Sequence, residues 1–148
     1  MRRSRLFWVL APPLAVALAL QVVQAQRLLR ASRMVNLVER TSAAAAARPD
    51  GAELLRRNLM LVRDALHDDP VEVRAHQAEG SLLLLLGRPA DAIASYERAI
   101  AIQNGPELQL ALGLASQKRG DLAAARRHFQ AAVRLDTRLA PQVPAELR

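Results

Sequence analysis

Cysteine is absent from the 148-residue chain, which excludes a disulfide framework, a thiolate metal site and a cysteine nucleophile. Aromatic residues are nearly absent as well: one Trp, one Tyr and two Phe. Lysine occurs once, as Lys118, among 21 basic residues, an arginine bias that points to a GC-rich coding genome and a bacterial source. Runs rich in Val, Ile, Thr and Tyr are scarce, and Ala and Leu carry most of the apolar content. Such a composition favours helices packed on helices over a sheet.

What the chain does have is a lopsided charge. Residues 1–63 hold eleven arginines against Glu39, Asp50 and Glu53, whereas residues 64–148 hold ten basic and eleven acidic groups. A nucleic-acid binder is expected to keep its positive excess on the folded domain, with aromatics for stacking. Here the excess flanks the most apolar stretch, so lipid headgroups suit it better and nucleic acid is not expected as a partner.

That stretch is "LFWVLAPPLAVALALQVVQA", Leu6–Ala25, twenty residues without a charge. At 1.5 Å per residue it reaches about 30 Å, the thickness of a bilayer's hydrocarbon core. Arg5 and Arg27 bracket it, and Phe7 and Trp8 stand where an interfacial aromatic belt lies. A cleavable signal peptide is the rival, with Val23-Gln24-Ala25 as its small-residue site. The apolar run extends to Val23 and the helical pattern continues beyond, which favours an uncleaved anchor. A basic tail (residues 1–5) resists translocation, whereas long following domains cross regardless of charge. The expected topology is a single pass through a bacterial inner membrane, amino terminus cytoplasmic and the remainder periplasmic. In the juxtamembrane segment 26–48, Leu28, Ala31, Val35 and Val38 recur at helical spacing, and "RPDG" ends the pattern at residues 48–51.

The second half repeats itself. Gly80 pairs with Gly113, Gly87 with Gly120, Ala92 with Ala125, Tyr96 with Phe129 and Ala99 with Ala132, each 33 residues apart. This pattern resembles the tetratricopeptide repeat, a helix–turn–helix unit of about 34 residues. Units fall at 73–105 and 106–137, a degenerate half unit at 49–72 and a tail at 138–148. The sequence departs from the repeat at His76 and Gln109, where an aromatic is usual, and at Glu79, where a large aliphatic is usual. These departures are expected to weaken packing. The first helix of the half unit is either missing or supplied by the juxtamembrane segment. The expected fold is therefore all-α: a transmembrane helix and stalk followed by a short solenoid of about five helices. So short an array needs its ends covered, and the proline-bearing tail makes a poor cap.

The resemblance implies a concave groove, lined by first helices, that takes a helix or an extended peptide. On this chain the lining falls on Gln77, Ser81, Leu84, Leu85, Leu110, Leu114 and Gln117, with Arg74 and Glu107 at the helix starts. The Lys and Asn by which some relatives clamp a terminal carboxylate are replaced by Gln77 and Ser81, then by Leu110 and Leu114, so an apolar partner is expected. The five leucines of "SLLLLLG" divide accordingly: Leu83 towards its own unit, Leu82 and Leu86 towards neighbours, Leu84 and Leu85 towards the groove.

Catalysis has little support. His67, Asp68 and Asp69 with His76 and Glu79 can be drawn as a metal site, but a polar helix end explains the same residues. His128, beside Arg126 and Arg127, reads as part of a solvated face. No catalytic, cofactor or metal residue is assigned. The expected function is a membrane-anchored, non-enzymatic scaffold within a hetero-complex, serving envelope assembly such as cytochrome c maturation, polysaccharide export or pilus building. A small structural subunit of a stable membrane complex is the alternative.

Overall fold

The computed structural model describes residues 50–147 without a gap and, before them, residues 16, 18–26, 29, 33, 36–38, 40 and 42. Five α-helices follow one another: α1 (Gly51–Asp68), α2 (Val73–Leu85), α3 (Pro89–Ile102), α4 (Pro106–Arg119) and α5 (Leu122–Leu135). Two 3₁₀ turns, Thr137–Gln142 and Ala145–Leu147, close the chain. Every described residue before Asp50 is helical, and no strand occurs among the described residues.

The helix boundaries follow from local chemistry. Pro89 and Pro106 open α3 and α4, where a missing N–H costs nothing. The carboxylates of Glu72 and Asp121 accept from the N–H groups of Arg74 and Ala124, capping α2 and α5. Gly87 and Gly120 have φ of 72° and 88°. With them in the left-handed region, Arg88 N–H returns to Leu83 O and Asp121 N–H to Ser116 O, each at 2.8–2.9 Å. The leucine run thus ends in a reversal that turns α3 back along α2, and the same device turns α5 back along α4.

Packing is sequential. Each helix lies against the next, and α2 also touches α4, so the first helices of adjacent units meet on one face. Within a unit the aromatic of the second helix lies on the glycine of the first. A Cβ added at Gly80 would come within 2.6 Å of the Tyr96 ring, and one at Gly113 within 2.5 Å of the Phe129 ring. The glycines therefore make room for a ring rather than for a whole neighbouring helix.

Two findings settle how the ends are covered. Residues upstream of Asp50 supply the missing first helix: Val38 is 1% exposed in the same core as Leu55, Leu59 and Leu82. Asn58 Nδ2 donates to Ser42 Oγ (3.4 Å) across a separation of 16 residues, the same separation as Ser95 to Glu79 in the next unit. Ser42 therefore corresponds to Glu79, 37 residues on rather than 33, because the extra turn lies between Asn58 and Glu79, where α1 has 18 residues against 14 in α3. At the other end the tail forms a better cap than its prolines suggest. Val143 and Leu147, 2% and 3% exposed, pack with Ala125 and Phe129, and Arg126 Nη2 donates to the Glu146 carbonyl (3.2 Å). Proline fits a 3₁₀ turn that would break an α-helix.

Candidate functional site: the groove between the first helices

A groove of about 390 Å³ opens between the amino-terminal helical residues and α2, with Val38, Ala78, Leu82 and Leu85 as its apolar lining and Ser42, Gln77 and Ser81 as its polar lining. The helical period accounts for the split. Residues 78, 82 and 85 recur at the spacing of one α-helical face, and 77, 81 and 85 share its edge. Leu85 is 45% exposed, although Leu82 and Leu83 just before it are buried. Ser81 is held in place by two contacts: its Oγ donates to Gln77 O (3.0 Å) and lies 3.1 Å from the Tyr96 hydroxyl. Burial pushes the Tyr96 hydroxyl pKa up, against the contribution of that Ser81 contact.

The remaining expected residues are distributed more widely. Leu84 is half-buried against the main core, and Leu110 leans on the Phe129 cluster. Leu114, on α4, is 39% exposed. Gln117 lines a separate depression of about 410 Å³ with Leu122, Arg126 and Leu147. Reasoning from sequence missed Val38 and Ser42 as groove residues, although Val38 stood in the stalk's apolar stripe. The expected anchor residues Arg5, Phe7, Trp8 and Arg27 lie outside the described residues, as do residues 6–15 and 17 of the expected span. Among the described residues no helix is long and apolar enough to cross a membrane.

The polar residues that suggested chemistry have structural partners. Glu79 is buried, and it accepts from Arg63 Nε (3.0 Å), Ser95 Oγ (2.9 Å) and Arg98 Nη1 (3.2 Å). Burial alone would raise its pKa, but the donors Arg63 and Ser95 and the charges of Arg98 and Arg63 together hold it below the ordinary carboxylate value. The expected packing loss at this position is thus offset by a three-helix polar tie. His76 is also buried, with Nε2 donating to Pro70 O (2.9 Å). His67 and Asp68 are exposed, and no group of three metal-ligating side chains gathers among the described residues. His128 is half-buried rather than solvated, its Nδ1 2.9 Å from Gln109 Oε1. Its pKa is lowered by burial first and then by Arg127.

A family match now corresponds to this geometry. Residues 73–105, which are α2, the turn and α3, match the Tetratricopeptide repeat family. The fold is that of tetratricopeptide-repeat proteins. Among solved structures, a thermophilic TPR protein of Thermus thermophilus is similar with a TM-score of 0.63 and 24% identity, over 84% of this chain and 63% of that one. YrrB, described as a TPR protein with an unusual peptide-binding site, gives 0.59 and 21% over 70% of this chain and 50% of its own. MamA MSR-1 gives 0.54 and 24% over 73% and 68%. The chain thus spans less than two thirds of the first two proteins it is similar to. No curated protein matches it.

Proposed function

We propose that this chain is a non-enzymatic scaffold that holds a partner protein in the groove beside Leu85. The observation that carries the reading is the exposed Leu85 beside Val38, Ala78 and Leu82 in that groove, which nothing among the described residues covers. Burying one leucine side chain stabilises a complex by roughly 1.5–3 kcal/mol. The peptide-binding site of the structurally similar YrrB agrees with this reading, as does the structural use of His76 and Glu79.

The same proposal places the scaffold on a bacterial inner membrane. The uncharged run Leu6–Ala25 acts as an anchor in contact with lipid, with Arg5 and Arg27 at its ends and Phe7 and Trp8 at the interface. The amino terminus lies in the cytoplasm and the repeats in the periplasm, serving envelope assembly: cytochrome c maturation, polysaccharide export or pilus building. One observation favours a second reading, a structural subunit of a stable membrane complex. Residues 18–26 are helical and every one is exposed, so a neighbouring span could pack on them.

Photo-cross-linking groups at Leu85 and at Leu18, introduced into the full chain in native membranes, separate the two readings. The scaffold gives a protein adduct at Leu85 that disappears in the Leu85→Asp, Leu114→Asp double variant while helical circular dichroism persists. A protein adduct at Leu18 alone supports the subunit instead. An undiminished Leu85 adduct in the double variant overturns the groove.

A further inference from the structure

A second cavity, separate from the groove, lies at the carboxyl-terminal end of the solenoid. It measures about 320 Å³ and sits between α5 and the 3₁₀ tail. Phe129, Val133, Ala140 and Val143 form its walls, and Gln130 and Arg134 complete its lining. The helical period explains the arrangement: 129 and 133 recur one turn apart on one face of α5, with 130 and 134 beside them. The cavity exists because the tail stands where a helix would. Ile100 of α3 leans on a core that Leu108 and Leu112 of α4 help to build. Val133, 33 residues on, leans instead on a cluster completed by Val143 and Leu147 of the tail. The six residues of the longer 3₁₀ turn span about 12 Å, whereas the fourteen of α4 span about 21 Å. The turn therefore leaves part of the apolar face of α5 uncovered.

Charge narrows what can fill it. No lining residue is acidic, and residues 122–148 carry five arginines against Asp136 and Glu146. Asp136 is tied to Arg138, whose Nη2 lies 2.8 Å from its Oδ2, and Glu146 lines a different depression. Gln130 and Arg134 are exposed, and among the described residues neither side chain has a hydrogen-bond or ion-pair partner. An unengaged guanidinium thus stands at the edge of an apolar cavity. A second copy stacked end to end is a poor occupant. Residues 26–48 carry five arginines against Glu39, with Arg33 and Arg40 exposed, so stacking would bring like charges together.

We propose that this cavity binds a medium-chain alkyl carboxylate, its chain against Phe129 and Val133 and its carboxylate on Arg134, with Gln130 as a further donor. Clefts for small ligands start at about 300 Å³ and combine apolar walls with a few placed polar groups. A guanidinium donates two parallel N–H bonds to a carboxylate. The chain supplies most of the affinity, and Arg134 selects an anionic head over a cationic one.

Photolabelling tests this with the full chain in phosphatidylcholine nanodiscs, using decanoate that carries a diazirine. Peptide mass spectrometry should place the label within residues 129–143. Unlabelled alkyl carboxylates should displace it with a gain of about fourfold per added methylene until the cavity is full. Octanoate should displace it about tenfold better than octylamine, the worth of a charge-assisted contact. Arg134→Glu, at an exposed position, should reverse that order while helical circular dichroism persists. Ala140→Phe should fill the cavity and remove the label, and Arg134→Glu decides the matter if that variant fails to fold. Label found only on the amino-terminal helix or beside Leu85 overturns the inference. Equal displacement by octanoate and octylamine, or an order that Arg134→Glu does not move, overturns it too. Should a photoreactive group at Gln130 capture a protein from native membranes, undisturbed by octanoate, the cavity is a protein joint and the inference falls.

Discussion

Gly113 and Glu79 show how much a single position decides in this chain. With Phe129 packed on the bare Cα of Gly113, a methyl group there would sit 2.5 Å from the ring. Gly113→Ala should therefore destabilise the protein by about 1–3 kcal/mol, the usual range for overpacking, despite alanine's better helix propensity. Chemical denaturation followed by circular dichroism measures it. Adding Phe129→Leu should recover part of the loss if ring contact is the cause. Glu79 makes a prediction of opposite character. Its folded pKa lies below the unfolded value of about 4.3 because the Arg63, Ser95 and Arg98 contacts outweigh burial. The unfolded chain therefore binds the proton first. The stabilisation is complete above about pH 4.3 and is lost as pH falls through the folded value. Denaturation midpoints from pH 7 to pH 3 should show a fall that Glu79→Gln flattens.

The informative element is the amino-terminal helix. It reads as a stalk, yet Val38 completes the same core as Leu55 and Leu82, and Ser42 meets Asn58. It is both connection and first helix. Val38→Asp should cost at least ~2 kcal/mol, since an ionised group would be left in an apolar contact. Leu37→Asp, one residue away at an exposed position, should stay within about 0.5 kcal/mol. Thermal unfolding of both variants in the full chain checks the contrast, and equal effects would show that the helix is not docked. The sequence pattern hid this helix for a geometric reason. A 33-residue offset from Glu79 falls in the alanine tract before Pro49, whereas the docked register is 37.

Across the whole molecule, stability is a chain of neighbour contacts, as expected for a solenoid. The core divides accordingly, one cluster running from Val38 to Ala115 and a second joining Phe129 to Val143 and Leu147. Removing residues 137–148 takes away the buried side chains of Leu139, Val143 and Leu147, worth roughly 1.5 kcal/mol or more each. The expected result is early amide exchange in α4 and α5 and increased binding of a hydrophobic dye, with α1 to α3 exchanging later. Uniform exchange in all five helices would mean that the tail adds nothing local. Because the chain's own segments cover the two ends, the exposure of Leu85 and Leu114 on the first helices is not the exposure of an unfinished array.

The helical class, the 33-residue repeat, the glycines that end α2 and α4 and the rings that fill each unit could all be read from the sequence, because each depends on contacts within a unit. Local spacing fixes such contacts. The docking of the amino-terminal helix, the 3₁₀ cap, the tie around Glu79 and the division of the leucine run were decided only by the tertiary structure. Periodicity places Leu84 and Leu85 on neighbouring edges of one helix, but whether each meets protein depends on the helices beside it. Leu84 is half-buried against the core and Leu85 faces the groove, because a neighbouring unit packs beside one and not over the other.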